Sequence, residues 1–535
     1  MKETVKQPET LDDVKKMLWE MYGGENKKIT DGNYDKSLAV KCINGTFVGR
    51  KTDNIIMYRG IPFVGKQPVG ELRWKAPVDA VADDGVYEAY YNAKSAYGNG
   101  QLETGSLYYM DEACLYLNVW KSDEVSDKKK AVMVWIHGDA FEAGGTVDPM
   151  FDCHNFVKEN PDVIVVTIAY RLGVFGFLHL SHLPDGKDYM DSQNIGLLDQ
   201  KMALKWVHEN IAGFGGDPDN VTIFGESAGA ASCTLLTLIK GSHDYFKRVI
   251  AESGSINLTK SADEGIVNTE KLMKHLGCKT VADLLKIDAE KLLEAASSLL
   301  FLYQFPERDG RNLPLDTFEA CANGAVKDID FLIGCNKDEM DFFVYSFGLE
   351  GWDEWVTNRK KGKFTQLTDE EKALVDSFKN DVQGDSYEPD SRLFSQSWFN
   401  VPTIRLSEEQ TKAGGKVYTY YFTPESPDPI MKCGHAIELA SVFNHPEMSE
   451  DTGRTFDETF SKTLRKMWVQ FAKTGDPSLT AEQSPDGKAK KWPLYDIENK
   501  MVMVFDEFNI HPEKEAERKI VDWERTYFLT KYYCL

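Results

Sequence analysis

The 535-residue chain is short of several things that would have settled its class at once. It has nine cysteines, at 42, 114, 153, 233, 278, 321, 335, 433 and 534, an odd number with no pair at metal-ligand spacing. That pattern gives no metal-binding motif, and its better reading is reduced thiols in a cytoplasmic protein. No apolar run approaches the length of a membrane span. The longest, such as VIVVTIAY (163–170), are the length of strands. The N-terminal stretch MKETVKQPETLDDVKKML carries no apolar segment of signal-peptide length. Positive charge is also scarce: 62 Lys and Arg stand against 85 Asp and Glu, giving a net charge of −23 with no basic stripe. Such a surface repels phosphate backbones and anionic lipid, so neither nucleic acid nor membrane is expected as a partner. Internal repeats and low-complexity tracts are missing too.

What is present is alternation. AVMVWI (131–136) and VIVVTIAY read as strands buried on both faces, LLDQKMALKWVHENI (197–211) as a helix, VTIF (221–224) as a strand, and AGAASCTLLTLI (228–239) as a helix. RVIAESG (248–254), FLIGCN (331–336) and KVYTYYF (416–422) extend the strand set. Strands alternating with helices imply crossover connections and a mostly parallel sheet, hence an α/β fold. Residues 260–325 and 345–410 read as helical, charged insertions, and PESPDP (424–429) as a stiff surface loop. Leu11, Val14, Met17, Leu18 and Met21 recur at helical spacing, predicting a short amphipathic helix in an extension over 1–36, with one large domain over 37–535. The C-terminal EAERKIVDWERTYFLTKYY (515–533) reads as a further helix that packs on its own domain, leaving a monomer or weak homodimer.

The chemistry concentrates after VTIF. Gly225-Glu226-Ser227-Ala228-Gly229 is G-x-S-x-G at a strand-to-helix junction, preceded by Gly-Gly-Asp-Pro (215–218). A serine hydroxyl is a weak nucleophile and must stand clear of the sheet. The sharp turn does this, needs small neighbours, and aims the N–H of Ala228 at the reacting oxygen. The five-residue pattern alone is weak; strand before and helix after make it specific. The hydroxyl then needs a base, and the base an orienting acid, in the chain order Ser, acid, His. His243, His275, His435, His445 and His511 follow Ser227. His435 lies soon after a strand, beside Gly434, and FLIGCN runs into Lys337-Asp338-Glu339, which offers two carboxylates that spacing does not separate.

A set of ordered segments now gives a resemblance: Arg59-Gly-Ile-Pro-Phe63, PVGELRWKAP (68–77), CLYLNVW (114–120), YRLGVFGFL (170–178), NIGLLDQKMALKWVHENIAGFGGDPDNVTIFGESAGA (194–230), GCNKDE (334–339) and GHAIEL (434–439). Together they resemble the type-B carboxylesterases, the group that includes the cholinesterases. The resemblance implies an α/β-hydrolase fold. It also implies Ser227 as nucleophile, Glu339 as acid, His435 as general base, and the N–H groups of Asp139, Ala140 and Ala228 as oxyanion donors on a loop turning at Gly138. Glu226 and Glu438 then match buried polar positions, and Arg73 and Glu112 a structural ion pair. The implied activity is hydrolysis of small to medium uncharged esters through an acyl-serine, with no metal or cofactor required. The rival reading is a catalytically weak or inactive relative used as a binding scaffold, as the neuroligins use this fold.

Three departures from the family pattern stand out. Cys114 lacks the cysteine that pairs with its counterpart in secreted relatives, since the matching segment reads AYGNGQ (96–101). LETGSLYYM (102–110) has Thr104 where cholinesterases carry a tryptophan that cups a quaternary ammonium, so choline esters are not expected substrates; Tyr108 and Tyr109 are candidates for pocket or core. Third, Asp139 stands where the family shows glycine, a carboxylate in a loop that holds an anion. Pointed inward, about 5 Å from the oxyanion at an effective dielectric near 20, it would cost roughly 3 kcal/mol. The expectation is that it turns away.

Overall fold

The computed structural model describes residues 10–98, 109–299, 304–448 and 453–533. Thr104 and Tyr108 lie outside them. Two compact units are formed, both discontinuous in sequence: 1–218 with 260–307, and 219–259 with 308–535.

In the first unit, Lys130–Ile136 pairs in parallel with Val163–Ile168, which pairs antiparallel with Tyr116–Ser122. Ile55–Pro62 and then Arg50–Thr52 continue the sheet antiparallel. The two parallel strands are buried along their whole length, which is why they read as unbroken apolar runs rather than alternating ones. Val163–Ile168 ends two residues before the expected Tyr170, and the helix expected over 197–211 runs Ile195–Asn210. A separate small sheet joins Ala39–Cys42, Gly45–Val48 and Val86–Glu88. Two buried polar contacts pin the core. Arg171 Nη2 and Nε hold Asp199 at 2.6 and 2.7 Å. Arg73 binds both oxygens of Glu112, Nη2 to Oε2 at 2.7 Å, and donates to the Ile287 carbonyl at 2.8 Å. The amphipathic N-terminal segment is a helix, Leu11–Tyr22, closed by a Thr10–Asp13 capping box. Met21, expected on its packed face, is 59% exposed.

In the second unit the strand order is Gly216–Glu226 (from Asp219 onward), Arg248–Glu252, Asp330–Asn336, Val417–Phe422, Met501–Asp506, all parallel neighbours, with Asn509–Lys514 returning antiparallel at the edge. Helices Ala228–Leu236, Asp341–Gly362, Asp369–Asp381, Glu388–Ser395, Val401–Lys412 and Glu458–Thr474 accompany them.

One expectation fails. Residues 515–533 are not a helix: only Glu515–Arg518 is α-helical, and a 3₁₀ turn covers Tyr527–Tyr532. Lys519 adopts a left-handed φ of 51°, and the Glu515 carboxylate takes the Val521 N–H at 2.9 Å and the Trp523 indole N–H at 3.0 Å. A side chain thus holds a backbone donor that a helix would have used. Among the described residues no helix is long and apolar enough to cross a membrane.

Candidate active site

Gly216–Glu226 ends in a sharp turn at Ser227, whose φ of 56° and ψ of −123° lie outside the regions comfortable for a residue with a Cβ. Ala228 opens the helix that follows. The Ser227 N–H is held by the Glu252 carbonyl at 2.8 Å. The crowding needs small neighbours: a Cβ on Gly254 would sit 2.1 Å from the Ser227 carbonyl oxygen and 2.9 Å from Ala230 Cβ. Ser227 itself is partly exposed while both residues beside it are buried.

The same unit brings His435 to the end of this strand. Its Nδ1 lies 2.6 Å from Glu339 Oε2, and its Nε2 lies 3.0 Å from Oε1 of Glu226, the residue before Ser227. Glu339 Oε1 accepts the Asn336 N–H at 2.7 Å, which fixes the carboxylate at the mouth of its strand. The two carboxylates that spacing left open are thereby separated. Asp338 turns the other way, to Arg392 and the Cys433 N–H. Glu438 accepts from Asn336 Nδ2 at 2.7 Å, and the same amide nitrogen donates to the Gly434 carbonyl at 3.0 Å, bracing the turn that carries His435. Phe399, Phe343 and Phe342 pack around the imidazole, with ring centroids at 4.7, 5.4 and 6.3 Å.

Burial alone would depress the His435 pKa. The charges of Glu226 and Glu339 on its two nitrogens outweigh it and raise the pKa well above 6.5. Burial raises the carboxyls of Glu226 and Glu252, and lifts Glu438 to about 8. Asn336, Glu252 and the three phenylalanines escaped the sequence reading. Only the position of Asn336 at the end of a strand, just before the acidic pair, hinted at a role.

The loop after Lys130–Ile136 belongs to the first unit. Asp139, Ala140 and Phe141 all have positive φ, at 62°, 55° and 62°. A Cβ on Gly144 would meet Asp139 Oδ2 at 2.5 Å and His137 Nδ1 at 2.7 Å, so the carboxylate lies against Gly144 within its own loop. His137 is buried, its pKa pushed down to about 4 by burial, and its ring stacks on Tyr170 at 4.5 Å. Glu142 is raised to about 8 by burial and accepts the Gln304 N–H at 2.7 Å. Tyr109 is 40% exposed and packs edge-on against Trp19.

Residues 36–520 match the family model described as the carboxylesterase family. The chain belongs to the carboxylesterase family. It is 34% identical to para-nitrobenzyl esterase of Bacillus subtilis (strain 168), over 89% of this chain and 96% of the relative, and 30% identical to cholinesterase of Mus musculus, over 86% and 80%. Among solved structures it is similar to the carboxylesterase Est55 of Geobacillus stearothermophilus, with a TM-score of 0.79 and 33% identity over 90% of this chain and 99% of that one. A structure of PNB esterase gives a TM-score of 0.73 at 30% identity, over 91% and 100%. This carboxylesterase has the α/β-hydrolase fold and is a serine carboxylic-ester hydrolase; nothing favours the scaffold reading.

Proposed function

We propose that Ser227 is the nucleophile, His435 the general base and Glu339 the orienting acid. The observation that carries this is the 2.6 Å contact between Glu339 and His435 Nδ1, with the other imidazole nitrogen turned to the residue preceding a strained, partly exposed Ser227. Glu339 keeps the proton on Nδ1, so Nε2 is the basic nitrogen. It takes the Ser227 proton as Oγ attacks the ester carbonyl and returns it to the leaving alcohol. Water then hydrolyses the acyl-serine by the same route in reverse. The N–H groups of Asp139, Ala140 and Ala228 serve as oxyanion donors, with Gly138 as the turn that sets their loop. Glu226 and Glu438 act as buried supports rather than reacting groups.

The substrates are small to medium uncharged esters. The apolar phenylalanines around His435 and the acidic balance of the chain support this, and Thr104 in place of a tryptophan argues against choline esters. The para-nitrobenzyl activity named for the Bacillus relative makes arylmethyl esters a natural first trial. A single hydrolase domain over 37–535 behind an extension, acting as a monomer or weak homodimer in the cytoplasm, completes the reading. The eight described cysteines, all outside disulfides and seven of them buried, favour a reducing compartment. The test is a chain-length series of nitrophenyl esters with para-nitrobenzyl and choline esters alongside, and Ser227→Ala as control. Turnover of neutral esters abolished in the control is expected. Undiminished turnover in Ser227→Ala overturns the nucleophile, and a preference for choline esters overturns the substrate class.

A further inference from the structure

The first unit holds a serine–histidine–carboxylate relay made without Ser227, through His179, Ser181 and Glu307. Glu307 is fully buried, and both its oxygens lie 2.9 Å from His179 Nδ1. A carboxylate only accepts, so Nδ1 donates to it, and in the neutral imidazole Nε2 is then the acceptor that faces Ser181. Ser181 Oγ sits 3.0 Å from that nitrogen and is half-buried, within reach of solvent. This is the hydrogen-bond wiring that activates a serine hydroxyl.

The surroundings hold the relay in place. Asn194 grips the Glu307 backbone on both sides, donating to its carbonyl at 2.9 Å and accepting its N–H at 2.8 Å. Thr269 Oγ1 donates to the His179 carbonyl at 2.8 Å, and Ser192 Oγ takes the Leu180 N–H at 3.0 Å between the two relay residues. Gly265 leaves room for the carboxylate, since a Cβ there would come within 2.1 Å of Glu307 Oε2. Burying a carboxylate is costly unless it is paired, and here its side-chain oxygens are turned to a histidine whose far nitrogen faces a hydroxyl.

We propose that Ser181 is a second activated hydroxyl, a modification site for strongly electrophilic acyl and phosphonyl donors. Such donors react without the oxyanion assistance that ordinary esters need. With a fluorophosphonate, Ser181 Oγ forms a bond to phosphorus, the P–F bond breaks and fluoride departs. The hydroxyl proton passes to His179 Nε2 and from there to water. With an activated aryl ester, the Oγ–acyl bond forms as the aryl–oxygen leaving group departs and takes that proton. The inference is independent of the roles given to Ser227, Glu339 and His435.

The test treats the full-length Ser227→Ala variant with an alkyl fluorophosphonate and reads the peptide containing residue 181 by mass spectrometry. An adduct on Ser181 is expected, slowed by about 10²-fold in a His179→Gln background, as befits loss of a general base. Ser181→Ala removes it and leaves ester turnover of the otherwise natural chain unchanged. The natural chain, with Ser227 first saturated by one equivalent of probe, gives the same readout without any substitution. No adduct at Ser181 under excess probe in either format, or an equal rate in His179→Gln, overturns the proposal.

Discussion

Asp139 replaces the glycine expected of an oxyanion loop, and its backbone keeps a glycine-like φ of 62°. Its carboxylate rests against Gly144 beside the neutral His137 ring, within its own loop. Asp139→Gly is therefore expected to change turnover by less than about tenfold, and to stabilise the protein by about 1 kcal/mol through release of left-handed strain. Steady-state kinetics and denaturant unfolding check the two halves. A rise in turnover of two orders of magnitude would mean that the carboxylate opposes the oxyanion after all. Glu226 matters through charge. With His435 as the proposed base, catalysis needs neutral imidazole, and Glu226 is one of two carboxylates raising the His435 pKa. Glu226→Gln lowers that pKa, so the acidic limb of the kcat/KM profile is expected to move to lower pH. An unmoved limb would show that Glu226 carries no charge in the free enzyme.

At the scale of the element, the strand–turn–helix at Ser227 stores strain, about 1–3 kcal/mol for a residue with a Cβ held at such angles. Ser227→Gly relieves it at the cost of some unfolded-state entropy. It is expected to be about 1 kcal/mol more stable than Ser227→Ala while equally inactive, as paired thermal melts would show. This element was legible in the sequence because its signal is local: VTIF, then small residues about a serine, then an apolar helix. The buried parallel strands were legible for a similar reason, their unbroken apolar runs. Which of Glu339 and Asp338 meets His435 was not a local matter. It depends on which carboxylate the Asn336 N–H captures and where Arg392, 54 positions further on, is placed. Glu252 was hidden because its contribution to the turn is a backbone carbonyl, which no side-chain pattern announces. The edge hairpin at Met501–Asp506 and Asn509–Lys514 was overlooked because its outer strand carries Pro512 and charged residues, as edge strands do. The C-terminal segment misled because amphipathic composition says nothing of a glutamate that captures backbone donors.

Over the whole molecule, several buried acids share one sign of linkage. Burial raises Glu142 and Glu438 to about 8 and Asp341 to about 6. Each is protonated more readily folded than unfolded, so its contribution is present below its ordinary carboxylate range and is lost as pH rises through the folded value. His435, raised by its two carboxylates, acts in the same direction, and the net charge of −23 adds self-repulsion. His137, lowered to about 4 by burial, opposes them up to about pH 6.5, and Lys260, lowered to about 8, opposes them only above pH 8. The melting temperature is therefore expected to fall between about pH 6.5 and about pH 8. Calorimetry across that window that showed a rising curve would mean these acids are ionised in the native state. The division of the chain into two interleaved units also has a consequence for its birth on the ribosome. The first unit can close once residue 307 has emerged, yet by then residues 219–259 are already outside the exit tunnel, with the Asp330–Asn336 neighbour of Arg248–Glu252 still to emerge. Arg248–Glu252 must wait in the cell without one of its two sheet neighbours, and for that interval a nascent chain of this enzyme is a client for chaperones.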